Sequence, residues 1–156
     1  MASIVRAPSS SVDVSRVVST TLAVQTTRAG FTDITREAAR FLDETGAREG
    51  ALTLFCRHTS ASLTIQENAD PSVLADLMTA LRRIAPDDAG WTHDSEGPDD
   101  MPAHVKTMLT SASLQIPVLS RSLALGTWQA IYLIEHRTRP HRREVVLQFI
   151  GAAGPA

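Results

Sequence analysis

The sequence predicts an α+β domain with a compact, β-sandwich-like core of mostly antiparallel strands and helices that flank it. Segments rich in β-branched residues recur along the chain, and two other segments have the apolar periodicity of helices. Two long strand-like segments near the C-terminus are separated by a short turn. With 156 residues, the chain has the length of one domain with a substantial core.

Three regions are predicted along the chain. Residues 1–16 are small and polar and predict a flexible N-terminal arm. Residues 17–151 contain all the periodic segments and predict a single domain, and residues 152–156 predict a C-terminal tail.

The first half of the domain predicts strand, helix and strand in that order. Residues 17–26 are β-branched and predict a strand. Residues 33–44 predict a helix that is capped by Thr32 and ended by Gly46. Residues 51–66 are strand-like, with a polar interruption at 57–60 that indicates a bend or a bulge between two strand pieces.

The second half begins with the clearest helix, residues 70–84, where Asp70 is the N-cap and Pro71 the first helical residue. A short helix opened by Pro102 is predicted for 102–111, followed by strands at 114–118 and 122–125. Residues 127–137 and 143–150 predict a terminal hairpin. Because side chains alternate along a strand, five residues of its first strand share one face: Trp128, Ala130, Tyr132, Ile134 and His136.

The bulk composition argues against several classes of protein. A net charge of −2 and 4% aromatic residues disfavour a nucleic-acid-binding surface. The apolar runs are too short to cross a bilayer, and the N-terminus lacks a signal-peptide core, so we expect a cytoplasmic protein with no membrane contact. The single cysteine, Cys56, excludes an intrachain disulfide and is predicted to be buried in a strand.

Residues 91–104, WTHDSEGPDDMPAH, contain two histidines and four acidic residues but little that could build a core. Such a segment is better explained by function than by stability. His93 and His104 with these carboxylates suit a divalent metal, and His136 would complete a three-histidine site with an open position. The spacing matches no standard zinc motif, so a solvated acidic loop with incidental histidines is the alternative.

Three further groups have both a functional and a structural interpretation. Arg57, His58, Thr59 and Ser60 suit an anion such as phosphate, or form an ordinary surface strand end. Glu67 and Asn68 precede a helix N-terminus, a position that favours anion binding, whereas Asp70 is explained by capping. The arginines at 137, 139, 142 and 143 either recruit phosphate or form a solvated hairpin tip.

Seven short motifs occur in one order: HTSA at 58–61, LTI at 63–65, ENADP at 67–71, HDSEG at 93–97, DDMPAH at 99–104, LGTWQ at 125–129 and EHR at 135–137. Together they resemble the signatures of the YjbQ family, the secondary thiamine-phosphate synthase enzyme family. The resemblance implies a compact α+β fold and a homotrimer. It also implies an enzyme that joins hydroxymethylpyrimidine diphosphate to thiazole phosphate and releases pyrophosphate, with weak activity that suits a side reaction.

The motifs and the resemblance together assign the site residues. The expected metal ligands are His93, His104 and His136, with zinc favoured over magnesium or nickel. The expected catalytic residues are His58, Glu96 and Asp100, and the expected substrate-binding residues are Thr59, Ser60, Glu67, Asn68 and Arg137. The expected partner is a small phosphorylated metabolite. A metal-dependent hydrolase of such a metabolite and a non-catalytic metabolite-binding protein are the alternatives.

Overall fold

The computed structural model describes residues 2–154, which contain two antiparallel sheets and three helices. The elements, in chain order, are β1 Arg16–Thr26, β2 Gly30–Asp33, α1 Thr35–Thr45, β3 Ala47–Cys56, β4 Ala61–Glu67, α2 Pro71–Ile84, α3 Asp100–Leu109, β5 Ser113–Leu119, β6 Ser122–Leu123, β7 Gln129–Glu135 and β8 His141–Ala153. No helix in this part of the chain is long and apolar enough to cross a membrane.

The five-stranded sheet has the order β1-β8-β3-β5-β6, and the three-stranded sheet has the order β2-β7-β4. Side chains from both sheets enter one apolar core, together with Phe41 and Leu42 of α1. The larger sheet contributes Leu54 and Phe149, among others, to that core, and the smaller sheet contributes Leu133. The predicted α+β fold with a sandwich-like antiparallel core is therefore confirmed.

The predicted C-terminal hairpin is wrong, because its two strands belong to different sheets. β7 pairs with β2 and β4, and β8 pairs with β1 and β3. Both strands have apolar inward faces, which are buried more completely when the sheets stack face to face than when the strands pair at an edge. Residues 136–140 therefore connect one sheet to the other, and this places His136 and Arg137 between them.

Alternation along β7 also separates two buried faces. Ile131 and Leu133 point into the main core, whereas Ala130, Tyr132 and Ile134 are buried outside it. Trp128 precedes the strand, and 65% of it is exposed. By the same alternation, His136 continues the face opposite the main core.

Local capping explains the helix boundaries. Thr32 does not cap α1, because it lies in β2, a strand that the sequence interpretation missed; the Asp33 carboxylate accepts the Thr35 N–H at 2.8 Å. Gly46 ends α1 in the left-handed conformation, as predicted. Asp70 caps α2 by accepting the Ser72 N–H at 2.8 Å, which confirms that prediction.

Two predicted boundaries move. The third helix begins at Asp100, two residues before the predicted start, and Pro102 fits its first turn, where no N–H partner is needed. β8 runs to Ala153, so residues 152 and 153 belong to a strand rather than to a tail. Met1 of the predicted arm and residues 155–156 of the predicted tail lie outside the described residues.

Candidate metal centre

The start of α3 brings Asp100 and His104 to the same side of one helix, because residues four apart lie one turn above each other. His93 comes from the preceding loop, which returns to the helix through two turns. In these turns the Asp94 carbonyl accepts the Gly97 N–H, and the Gly97 carbonyl accepts the Asp100 N–H. The positive φ of +114° at Gly97 is a backbone conformation that favours glycine at this position.

His93, Asp100 and His104 each offer one ligand atom within 4.8 Å of the others. His93 Nε2 lies 2.8 Å from Asp100 Oδ2, and His104 Nε2 lies 3.6 Å from the same oxygen. The Asp100 side chain is only 3% exposed. Two imidazole nitrogens and one carboxylate oxygen form a donor set that zinc accepts, and three protein ligands leave a further position open. The residues therefore fit a divalent ion.

A backbone hydrogen bond orients His104. Its Nδ1 lies 2.9 Å from the Thr59 carbonyl oxygen, which can only accept. Nδ1 must therefore carry the proton, and in the neutral imidazole the lone pair is left on Nε2, the atom that faces Asp100. This tautomer is the one that a metal ligand needs.

Arg137 orients Asp100 from the other side. Its Nη1 donates to Asp100 Oδ1, its Nη2 donates to the Glu96 carbonyl oxygen at 2.8 Å, and its Nε lies 3.3 Å from Asp99 Oδ2. Because these acceptors surround the guanidinium, its clearest task in this structure is to hold the Asp100 carboxylate with Oδ2 facing the histidines. Its predicted contact with substrate stays a prediction.

Asp99 completes this arrangement and was missed by the sequence interpretation. Its Oδ2 accepts the N–H and the hydroxyl of Thr138 at 2.8 and 2.9 Å. Burial raises the pKa of Asp99, but the hydrogen bonds from Thr138 and the Arg137 guanidinium outweigh burial and lower the pKa to about 2. Asp99 is therefore ionised at neutral pH and ties the start of α3 to the segment after β7.

His136 lies outside the group of converging ligand atoms, so the third member in this structure is Asp100. His136 Nε2 is 2.8 Å from the Ser62 hydroxyl, whose oxygen also accepts from Thr110. Burial, with a smaller contribution from the charge of Lys106, lowers the pKa of His136 to about 4. His136 Nδ1 is buried and has no hydrogen-bond partner among the described residues. The histidine is therefore neutral at physiological pH.

The segment 57–60 links the two sheets and lies beside the centre. His58 Nε2 accepts the Glu144 N–H at 2.8 Å, and burial, aided by the nearby Arg143 charge, lowers the pKa of His58. Thr59 contributes its carbonyl to His104, and the Ser60 carbonyl accepts from Arg143 at 3.3 Å. The segment thus borders the site with its backbone.

Cys56, just before this segment, is buried as predicted.

Glu67 and Asn68 are not brought to the histidines within one chain. In the pairing of β4 with β7, Ala61 is opposite Glu135, at the end where His136 follows, whereas Glu67 is opposite Gln129 at the far end. Six residues of strand separate the two ends by about 20 Å. The substrate-binding role predicted for this pair requires a second surface to meet the centre.

The sequence leaves Arg143 either as a phosphate-binding residue or as part of a solvated hairpin tip, but the structure buries it. It pairs with Glu135 through two hydrogen bonds, from Nη2 to Oε1 at 2.6 Å and from Nε to Oε2 at 2.7 Å. Alternation along β8 could have revealed this, since residue 143 shares its inward face with Val145, Leu147 and Phe149.

The model of a known protein family, described as UPF0047 protein YjbQ-like, matches residues 20–152 of this chain. A UPF0047 protein from Synechocystis is 50% identical over 111 residues, which cover 70% of this chain and 76% of that protein. The UPF0047 protein YugU of Bacillus subtilis is 39% identical over 134 residues, 84% of this chain and 98% of that protein.

The chain belongs to the YjbQ family. A crystal structure of an uncharacterized YjbQ/UPF0047 protein from Clostridium acetobutylicum superimposes with a TM-score of 0.78 at 36% identity, covering 83% of this chain and 98% of that one. A YbjQ-like protein of unknown function from Sulfolobus solfataricus has the same fold, with a TM-score of 0.82 at 23% identity and coverage of 88% and 99%. Family and fold are thereby established.

Proposed function

We propose that this YjbQ-family chain is a metal-dependent enzyme that acts on a small phosphorylated metabolite, with a divalent ion held by His93, Asp100 and His104. The observation that carries the proposal is the convergence of three donor atoms within 4.8 Å around a nearly buried carboxylate. Zinc suits the imidazole and carboxylate donors better than magnesium does. When bound, a divalent ion supplies positive charge that neutralises a phosphate or diphosphate group.

An open hollow beside the centre is the proposed substrate-binding surface. Its volume is about 590 Å³, and the residues that line it are Asp94, Ser95, Glu96, Gly97, Arg137, Arg139, Pro140 and His141. Arg137 is occupied by acidic partners, whereas Arg139 is exposed and has no ion pair among residues 2–154. Arg139 is therefore the better candidate to bind a phosphate group that enters the hollow.

Glu96 is the proposed proton acceptor. Its side chain is 71% exposed and lies on the hollow, 3.7 Å from Arg137. Asp100 is less available for proton transfer, because Arg137 and His93 occupy its two oxygens. Glu96 can thus exchange protons with solvent and substrate while Asp100 stays in place.

The reaction proposed first is thiamine-phosphate synthesis, in which the hydroxymethylpyrimidine bond to diphosphate breaks and a bond to the thiazole nitrogen forms. Pyrophosphate is the leaving group, and its negative charge is what the centre would stabilise. The alternative is hydrolysis of a small phosphorylated metabolite, which the same donor set favours because its open position could admit water. A non-catalytic metabolite-binding protein is the third candidate.

The proposal is tested by incubating hydroxymethylpyrimidine diphosphate and thiazole phosphate with metal-free and with zinc-loaded protein. We expect thiamine phosphate from the zinc-loaded wild type and none from Asp100→Asn, while Asp88→Asn, an exposed loop substitution, retains the rate. Phosphate release from simple esters without thiamine phosphate would favour the hydrolase. Metabolite binding without turnover, and unaffected by zinc removal, would overturn the enzyme proposal.

We also propose that the working unit is a homotrimer with sites shared between subunits. Glu67 and Asn68 lie about 20 Å along the sheet from the histidine end in one chain, so a neighbouring subunit would have to supply them. The apolar side chains of α2 are also incompletely covered, since Met78 is the only buried residue of this helix. Two experiments test this proposal. Analytical ultracentrifugation measures whether the protein has the mass of a trimer.

Mixing Glu67→Gln chains with Asp100→Asn chains tests whether the site is shared. The mixture should regain activity that each variant lacks alone, and an inactive mixture would contradict a shared site.

A further inference from the structure

We propose that the buried ion pair between Glu135 and Arg143 is a positioning element for the candidate metal centre. The Arg143 side chain is 5% exposed and the Glu135 side chain 1% exposed. Their two parallel hydrogen bonds fix the guanidinium and the carboxylate in one plane. Neither residue touches the three ligand atoms, so the pair would act through the groups that it holds.

The first connection runs through the segment 57–60. Arg143 Nη2 donates to the Ser60 carbonyl at 3.3 Å as well as to Glu135. The preceding carbonyl, that of Thr59, accepts the Nδ1 proton of His104 at 2.9 Å. One peptide unit therefore separates the group that Arg143 holds from the group that sets the tautomer of His104.

The second connection runs through Arg137. Glu135 Oε1 accepts the Arg137 N–H at 2.9 Å, which fixes the backbone of that residue just beyond β7. The Arg137 side chain then holds Asp100. Glu135 Oε2 also accepts the Thr26 hydroxyl at 2.7 Å, so the carboxylate is fully engaged. The single ion pair thus anchors the supports of two ligands, His104 and Asp100.

Stability alone is a weak explanation for this pair. A buried ion pair that is replaced as a whole by uncharged side chains of similar volume often leaves stability unchanged. Here the pair lies where two connecting segments meet, and neither segment is held by strand pairing. The inference rests on the proposed function in that it takes His104 as a ligand, but the orientation of His104 is measurable without any metal.

The test measures the tautomer of His104 by imidazole nitrogen NMR at pH 8 in metal-free full-length protein. Wild type should show the proton on Nδ1. In the double variant Glu135→Gln/Arg143→Met, we expect a substantial Nε2–H population and zinc binding at least about tenfold weaker. The matched control Arg142→Met/Glu144→Gln removes a more exposed ion pair, formed by the two residues that flank Arg143 in the same strand, and should behave as wild type.

If the double variant does not fold, Arg143→Lys provides a second test, because a lysine can keep the charge pairing with Glu135 but lacks the fork that also reaches Ser60. It should show the same tautomer shift. A folded variant of either kind with the wild-type tautomer and wild-type zinc affinity would overturn the proposal. Absence of zinc binding in wild type would overturn the proposed function, while the tautomer shift would still test the positioning role.

Discussion

His93 and Asp100 are seven residues apart, and their side chains meet at 2.8 Å between Nε2 and Oδ2. The contact closes the acidic loop onto the first turn of α3. The other oxygen of Asp100 is held by Arg137. One carboxylate therefore joins the loop, the helix and the segment after β7, which is why the candidate centre forms at this point.

Replacing His104 by alanine should remove a ligand and leave the fold intact. The ring is partly exposed, and its polar contacts are with Thr59 and Asp100, so little core packing is lost. Zinc affinity, measured calorimetrically on metal-free protein, should fall by about 100-fold or more, beyond the loss expected for an orienting partner. His141→Ala, at the first residue of β8, is the control, because this histidine lies outside the group of three converging ligands. Stoichiometric zinc in His104→Ala would contradict the assignment.

Arg137→Met should destabilise the domain strongly. The substitution leaves the buried carboxylates of Asp99 and Asp100 without their shared counter-charge. Breaking one side of a buried pair costs about 3 to 5 kcal/mol in the free energy of unfolding. Urea unfolding measures this loss. Arg40→Met, which removes an exposed pair with Glu44, should cost no more than about 0.5 kcal/mol. Equal costs in the two variants would refute the role given to Arg137.

The free energy of unfolding should decrease as pH falls from about 6.5 to about 4, with His136 as one cause. The unfolded histidine binds a proton near pH 6.5, whereas burial keeps the folded pKa at about 4. Stability from the neutral ring is thus complete above pH 6.5 and is lost towards pH 4, by roughly 3 kcal/mol at most. In denaturant titrations, His136→Gln should make the free energy of unfolding depend less on pH between about 6.5 and about 4. The same pH dependence in this variant as in wild type would contradict the role given to His136.

Gly151→Ala should destabilise the larger sheet. A Cβ at this position would overlap the Glu49 carbonyl oxygen and approach the Phe149 ring, because β3 and β8 run very close here. The expected cost is about 2 to 3 kcal/mol, that of overpacking against a backbone which cannot yield. Gly126→Ala is the matched control, since its nearest neighbour is the flexible Gln129 side chain at 3.4 Å. Thermal unfolding of both variants distinguishes the sites, and similar melting temperatures would contradict the prediction.

Features that depend on neighbouring residues could be predicted from the sequence. The cap of α2 by Asp70, the end of α1 at Gly46 and the bend at 57–60 each depend on a few adjacent residues. The loop that carries His93 and the helix that carries His104 were identified for the same reason. A polar segment with little apolar content can be recognised from composition alone.

The sequence did not reveal which strands pair or which partners a charged residue finds. Alternation places residue 143 on an inward face, but only the packed sheets show that Glu135 is there to neutralise it. Likewise, His136 and Asp100 were both candidates near the centre, and only the path of residues 136–140 between the sheets directs His136 towards Ser62.

The sequence by itself determined the fold class, the family, the helix caps and the segment that bears the candidate ligands, because each depends on local periodicity, backbone preference or residue type. The tertiary structure decided the separation of β7 from β8, the convergence of Asp100 with His93 and His104, and the burial of Arg137 and Arg143. These depend on contacts between residues distant in sequence. Such contacts form only when stacking of the two sheets removes their apolar faces from water and brings the polar ends of their strands together.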